Sequence, residues 1–289
     1  MFILGKFRSV MKTEEGEVKV VSGYRWKGDP SPMHIGLVDM EPNTLLVPQY
    51  VDANLVIFVR RGHAKMGWIC KKGKMAESRL RAGDVTVIPA GSAFYLINDC
   101  KDERLQAIAS IDSTETLGFT TYQSFFIGGG RDPTSILSGF DPMTIASAFN
   151  VTMEELGFMM SQAGGPIIRM HPQPEDANKP NEDDDEDSTT KGSIWQRIFN
   201  FILGGSHHRH HGKNSSLKSS HAYNLYDKKP DFRNSYGSSV AVDESEYAPL
   251  KHTGISVYFV NLTAGSMMAP HVNPSATEYG IILDQTGEQ

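Results

Sequence analysis

His271 and Glu278 are the residues of this 289-residue chain whose types and spacing come nearest to chemistry. An imidazole and a carboxylate that face each other on neighbouring strands can share a divalent cation. Asn273, two residues after His271, offers only an amide oxygen, which substitutes poorly for imidazole toward transition metals. Two ligands do not complete a metal site, and the bland alternative is a packed strand pair with one buried polar contact. The run His207-His208-Arg209-His210-His211 is a second cluster. It reads either as adventitious metal binding or as a solvated polar loop, because no cysteine or carboxylate of fixed geometry flanks it. Paired catalytic carboxylates and a nucleophile beside a base are not evident. Gly128-Gly129-Gly130 follows aromatic residues and does not lead from a strand into a helix, so it is no phosphate cradle.

The elements that must position these groups are mostly strands. Residues 83 to 98 read Gly-Asp-Val-Thr-Val-Ile-Pro-Ala-Gly-Ser-Ala-Phe-Tyr-Leu-Ile-Asn. Val85, Val87, Leu96 and Ile97 are strand formers, and glycine and proline punctuate the run at turn spacing. Pro89 cannot donate to a sheet ladder, and Gly91 is free to take a positive φ. The stretch therefore predicts two short strands, 84–88 and 93–98, joined by a tight corner. Similar apolar runs recur at His34–Met40, Asn54–Arg60, Ala64–Cys70 and Arg104–Ile111. Regular spacing of this kind predicts a sandwich or barrel over residues 16–130, and a double-sheet jelly roll fits the count.

The period changes after residue 130. Asp141-Pro142 places an N-cap before a proline suited to the first helical turn, and Thr152 with Glu155 has the capping-box spacing. Two short helices are expected at 141–149 and 152–162, ended by Gly164-Gly165-Pro166, within a helical extension of residues 131–170. Their apolar faces are too large for their length, so they are expected to dock on another surface.

Charge concentrates in one place. The chain carries net −6, and the segment from Glu175 to Asp187 alone holds eight acidic residues and one lysine. The remainder is close to neutral, with no basic patch that calls for nucleic acid. Residues 171–222 read as an acidic, His-rich linker that cannot bury enough apolar surface to order itself, apart from a short amphipathic helix near Trp195. No run approaches the ~20 apolar residues of a membrane span. The opening residues are too short in apolar run for a signal peptide, which predicts either a cytosolic protein or a start other than the native one. Cys70 and Cys100 can pair or stay as small buried apolar groups, and we expect the latter.

The spacing of Gly83, Pro89, Gly91 and Asn98 is that of the second cupin motif, Gly-x5-Pro-x-Gly-x2-His-x3-Asn, with Phe94 in the histidine slot. Gly265, His271 and Glu278 match the first motif, Gly-x5-His-x-His-x3–4-Glu-x6-Gly, with Asn273 at the second histidine. In the first half, Gln49 and Val51 stand where that motif has histidines. From about Lys12 onward the chain resembles plant vicilin-type seed storage globulins, which are bicupins. The likeness is strongest at Val47–Gly62, Gly83–Asn98, Tyr223–Asp227, Asp231–Gly237 and Gly265–Gly280.

The resemblance implies an all-β fold with helical extensions, built on cupin jelly-roll barrels, the first complete and the second, 223–289, incomplete. It implies a nutrient reservoir with no catalysis and no cofactor, the metal site of the first half being lost at Gln49, Val51 and Phe94. It also implies a homotrimer clasped through the helical extensions, processing by a protease at the acidic linker, and delivery through the secretory pathway to a storage vacuole. The competing readings are a metal-dependent cupin enzyme that uses His271 and Glu278 in the C-terminal half, or a bicupin that binds a small sugar-type ligand, in the C-terminal half or in the apolar cavity behind Phe94 and Tyr95. Three glycosylation sequons, at Asn150, Asn214 and Asn261, suit a secreted protein.

Overall fold

The structure, a computed structural model, describes residues 2–25, 30–69, 75–114, 116, 122–161, 164–170, 222–274 and 276–283. The amphipathic helix expected near Trp195, the histidine run 207–211, Cys70 and Asn214 lie outside the described residues. Strands dominate what is described. They are β1 (Phe2–Leu4), β2 (Arg8–Thr13), β3 (Gly16–Arg25), β4 (Pro30–Met40), β5 (Thr44–Val51) and β6 (Asn54–Arg61). There follow β7 (His63–Ile69), β8 (Met75–Arg81), β9 (Asp84–Ile88), β10 (Phe94–Asn98), β11 (Leu105–Asp112) and β12 (Ser124–Phe126). After the helices α1 (Pro142–Phe149) and α2 (Met153–Met160) come β13 (Ile167–Arg169), β14 (Tyr223–Asn224), β15 (Phe232–Asn234), β16 (Gly237–Val242) and β17 (Val257–Leu262).

Two antiparallel sheets pack face to face as a jelly roll. One runs β1-β3-β4-β11-β6-β9-β14 with β2 added beside β3; the other runs β12-β5-β10-β7-β8 with β13 added beside β5. Alternation along the strands sets the core. Leu105, Ala107, Ala109 and Ile111 of β11 point inward, beside Leu55, Ile57 and Val59 of β6 and opposite Leu46, Met66 and Leu96 of the second sheet.

The first jelly roll is wider than the stretch 16–130. Strands at Phe2–Leu4 and Arg8–Thr13 precede it in the same sheet, and Ile167–Arg169 returns to pair with Thr44–Leu46. Residues 223 and 224 also belong to it, because β14 pairs with Val85 and Asp84 of β9. Ile167–Arg169 and Tyr223–Asn224 are short edge pieces with little periodicity of their own, so nonlocal pairing creates them, whereas β2 joins the sheet as a local hairpin with β3.

The C-terminal segment explains why β9 is buried along its whole length. Ile88 faces the jelly-roll interior, and the Thr86 hydroxyl bonds to Tyr247. Val85 and Val87, with Val56 of β6, face outward and pack against Leu225, Val240, Val242, Tyr247 and Leu250. A sheet covered on both faces reads as a near-continuous apolar strand, which Asp84-Val-Thr-Val-Ile88 nearly is. The covering layer is the three-stranded sheet β15-β16-β17.

The two helices form where the caps predict. The Asp141 side chain accepts from the Thr144 N–H and Pro142 occupies the first turn. Thr152 and Glu155 cap each other reciprocally. Ile145, Ala146 and Leu156 close a small cluster between the helices, while Phe140, Met143, Met153 and Phe158 stay exposed.

Candidate functional site

The corner between β9 and β10 is built by its glycines and proline. Gly83 has φ +90°, and a side chain there would put its Cβ 2.6 Å from the Tyr226 ring. Gly91 has φ +74°, and its N–H donates to the Val51 carbonyl at 2.7 Å, tying the corner to the end of β5. Ser92 N–H closes the turn on the Pro89 carbonyl at 3.1 Å. The corner fixes the first inward residue of β10, and that residue is Phe94.

Phe94 lies between Gln49 of β5 and Trp68 of β7. Directly opposed residues share a face, so the ring and the Gln49 amide both point into the barrel. Phe94 and Val51 are each 6% exposed and belong to the apolar core, and Gln49 is 2% exposed. The structure thus brings all three sequence-predicted positions together inside the jelly roll.

Gln49 carries a feature that spacing did not reveal. Its Oε1 is buried with no hydrogen-bond partner. An unpartnered buried polar group costs about 1–3 kcal/mol, whereas an apolar group of the same shape avoids that penalty. Gln49→Met should therefore leave stability unchanged or raise it by about 1 kcal/mol, read from the urea midpoint at constant slope. A loss of more than ~1 kcal/mol would mean that the amide is solvated in the core by a bound water.

Asn98, the last residue of the motif, is a clamp. It is fully buried, and its Nδ2 donates to the carbonyls of Met40, Glu41 and Glu103 at 3.2, 3.0 and 2.9 Å. Its Oδ1 accepts from the Cys100 N–H at 3.2 Å. One side chain thereby joins the end of β4, the end of β10 and the loop that leads into β11. Cys100 itself is half-buried with a free thiol.

His271 and Glu278 do come together, but at the surface. Their Nε2 and Oε2 are 3.1 Å apart, with the side chains 48% and 47% exposed. The expected buried polar contact is replaced by a solvated pair, since neither residue sits in a strand. The Ala269 carbonyl, followed by the Glu278 carboxylate, favours the imidazolium and raises the His271 pKa above its ordinary value. Asn273 uses its Oδ1 to accept from the Ala276 N–H at 3.2 Å. Among the described residues no three His, Cys, Asp or Glu side chains gather as a metal site would need.

A cleft of about 500 Å³ opens where the first jelly roll meets the C-terminal segment, between Arg79, Arg81, Tyr223 and Lys228. Its charges are already matched. Arg81 pairs with Asp227, and Lys228 Nζ holds Glu246 at 2.6 Å and the Ala241 carbonyl at 2.6 Å. Asp84 accepts from the Arg81 N–H and from Asn224 Nδ2, both at 2.8 Å. This seam escaped the sequence reading because the pairs that cross it, Arg81 with Asp227 and Asp84 with Asn224, are 140 or more positions apart.

Comparison with known proteins agrees with this geometry. Residues 4–156 and 223–288 match the cupin family profile. A vicilin-like seed storage protein of Arabidopsis thaliana is 46% identical over 99% of this chain. The chain spans 61% of that relative's length. The crystal structure of vicilin from Corylus avellana superposes with a TM-score of 0.68 at 23% identity, over 91% of this chain and 63% of that one. Vicilin from Capsicum annuum gives the same TM-score at 20% identity, over 90% and 64%. With the jelly roll, the Gly83–Asn98 corner and this likeness in place, the chain belongs to the cupin family and is of its vicilin type.

Proposed function

We propose that the chain is a nutrient reservoir, a seed storage protein that performs no catalysis and holds no cofactor. The observation that carries this reading is the interior of the first barrel. At the positions where a cupin enzyme holds its metal stand an amide, an alkyl group and an aromatic ring, Gln49, Val51 and Phe94, packed among core side chains. That donor set does not fit a divalent transition metal. His271 and Glu278 supply two ligands on an exposed pair, which leaves the metal-enzyme reading without support. The storage relative at 46% identity points the same way.

The exposed apolar side chains of the helical hairpin support a homotrimer. Phe140, just before α1, and Met143, Met153 and Phe158 are each about half exposed or more, on a helix pair whose own contact buries only a small cluster. A second copy of the chain is the partner proposed for that face. No described helix is long and apolar enough to cross a membrane. The composition of residues 171–222 suits cleavage by a processing protease, and the storage reading carries with it passage through the secretory pathway to a storage vacuole.

The test is the behaviour of the chain in the seed. Its amount should rise as reserves are laid down and fall on germination, with light scattering of the purified protein reporting three copies. A level that stays flat through filling and germination, or turnover of a small acid by the purified protein with stoichiometric metal, overturns the reading.

A further inference from the structure

We infer that Asn234, followed by Ser235, is a site of spontaneous deamidation, at which the asparagine passes through a cyclic imide to aspartate and isoaspartate. The inference does not depend on the storage reading, because it concerns the chemistry of one hairpin turn.

The reaction needs a small residue after the asparagine, a main-chain N–H on that residue with nothing to hold it, and room for the side chain to fold back. Asn234 ends β15 and pairs with Gly237, the first residue of β16, so Ser235 and Tyr236 form the loop of a tight hairpin. Asn234, Ser235 and Tyr236 are all exposed. β15 is the outer strand of its sheet and is exposed along its whole length, so the packing that fixes β16 does not restrain Asn234.

The side chain is already folded toward its own main chain. Asn234 Oδ1 accepts from the Tyr236 N–H at 2.8 Å. That bond draws electron density away from Cγ and holds it beside the intervening Ser235 nitrogen. Ser235 accepts at its carbonyl from the Thr263 hydroxyl at 3.5 Å, a contact that leaves its nitrogen free. Among the described residues nothing accepts from the Ser235 N–H, the attacking group, or from Asn234 Nδ2, the leaving group.

The other described asparagines each lack a requirement. Asn54, Asn150, Asn224 and Asn261 are followed by Leu55, Val151, Leu225 and Leu262, whose branched side chains crowd the approach. Asn273 is followed by Pro274, which has no N–H to give. Asn98 is fully buried with its Nδ2 tied to three carbonyls. Asn43 is held at φ +56°, and Thr44 after it is fully buried.

The Ser235 nitrogen attacks Asn234 Cγ. The new N–Cγ bond closes a succinimide ring, the Cγ–Nδ2 bond breaks, and the proton of the attacking nitrogen leaves with Nδ2 as ammonia. Water then opens the ring. Cleavage of the new N–Cγ bond leaves aspartate, and cleavage of the original main-chain bond leaves isoaspartate, with the chain running through Cβ. No oxidant or reductant takes part. Isoaspartate lengthens the main chain at the turn and adds a negative charge, so the pairing of Asn234 with Gly237 cannot persist in its present register.

The test incubates the full chain in mildly alkaline buffer made with heavy-oxygen water and maps its peptides by mass spectrometry. Ring opening should put one heavy oxygen into the peptide that carries residue 234, and a protein isoaspartyl methyltransferase should label the same peptide. Among the asparagines compared above, Asn234 should convert first. Ser235→Gly should speed its conversion several-fold and Ser235→Val should slow it several-fold, both changes falling at an exposed loop position. Conversion of any of those other asparagines ahead of Asn234, a rate unchanged in Ser235→Val, or a product free of isoaspartate overturns the inference.

Discussion

Replacing Phe94 by alanine should lower the free energy of unfolding by about 3–5 kcal/mol. The ring is 6% exposed and stands inside the barrel, flanked by Trp68 and Gln49 on the adjoining strands. Removing it takes away the transfer free energy of a buried aromatic group and leaves a cavity that two rigid strands cannot close. Neighbours offer little relief, because Leu96, Val51 and Met66 already sit in the same packed cluster. A domain of this size is stable by only about 5–15 kcal/mol, so the loss should appear as a large drop in the urea midpoint with the slope retained. A loss below ~1 kcal/mol would mean that the ring is exposed and that β10 is shifted by one residue, since such a slip turns every side chain to the other face. The outcome bears on function directly. A barrel stabilised by Phe94 at the histidine position keeps its fold by filling the space a metal site would need.

How much of this was legible in the sequence depends on the range of the interaction. The corner from Gly83 to Asn98 was legible because its strands alternate and its breakers fall at turn spacing; β9 and β10 are found at 84–88 and 94–98. The helices were legible because caps are local, and Asp141, Thr152 and Glu155 act within three residues of themselves. The inward place of Phe94 followed from the motif that Gly83, Pro89, Gly91 and Asn98 match, and the ring is indeed buried in the core. What was not legible is set by distant partners. Nothing in Tyr223-Asn224 announces that it will extend the first sheet beside Val85. Val85 and Val87 look the same whether their outer face meets water or Val240 and Leu250. The stranded Oε1 of Gln49 faces an interior whose other walls, Phe94 of β10 and Trp68 of β7, come from distant parts of the chain. His271 and Glu278 show the same division: their approach followed from spacing, and their exposure did not.

Changing Asn98 to aspartate should cost about 3 kcal/mol or more at neutral pH, although the two side chains have nearly the same shape. The Asn98 Nδ2 faces three carbonyl oxygens within 3.2 Å in a fully buried position. Asn98→Asp puts a carboxylate oxygen in its place, with no proton to offer any of them. The Met40, Glu41 and Glu103 carbonyls lose a donor and meet a buried negative charge instead. The cost must then depend on pH in a definite direction. Burial and the three carbonyls favour the protonated carboxyl in the folded state, which raises the pKa of the introduced group above its unfolded value of about 3.9. The penalty is therefore smallest below that unfolded value, grows as pH rises, and levels off once the folded-state pKa is passed. Asn98→Ala should show a loss of similar size with no such slope, because it removes the donor without adding a charge. Urea midpoints of both variants against the wild type from pH 4 to pH 7 separate the two effects. A difference for Asn98→Asp that is under ~1 kcal/mol and flat across that range would mean that water, and not the Asn98 amide, satisfies the three carbonyls. A steep slope for the aspartate beside a flat one for the alanine would place the motif's asparagine among the residues that close the barrel, which is why it persists here when the histidine slot beside it holds Phe94.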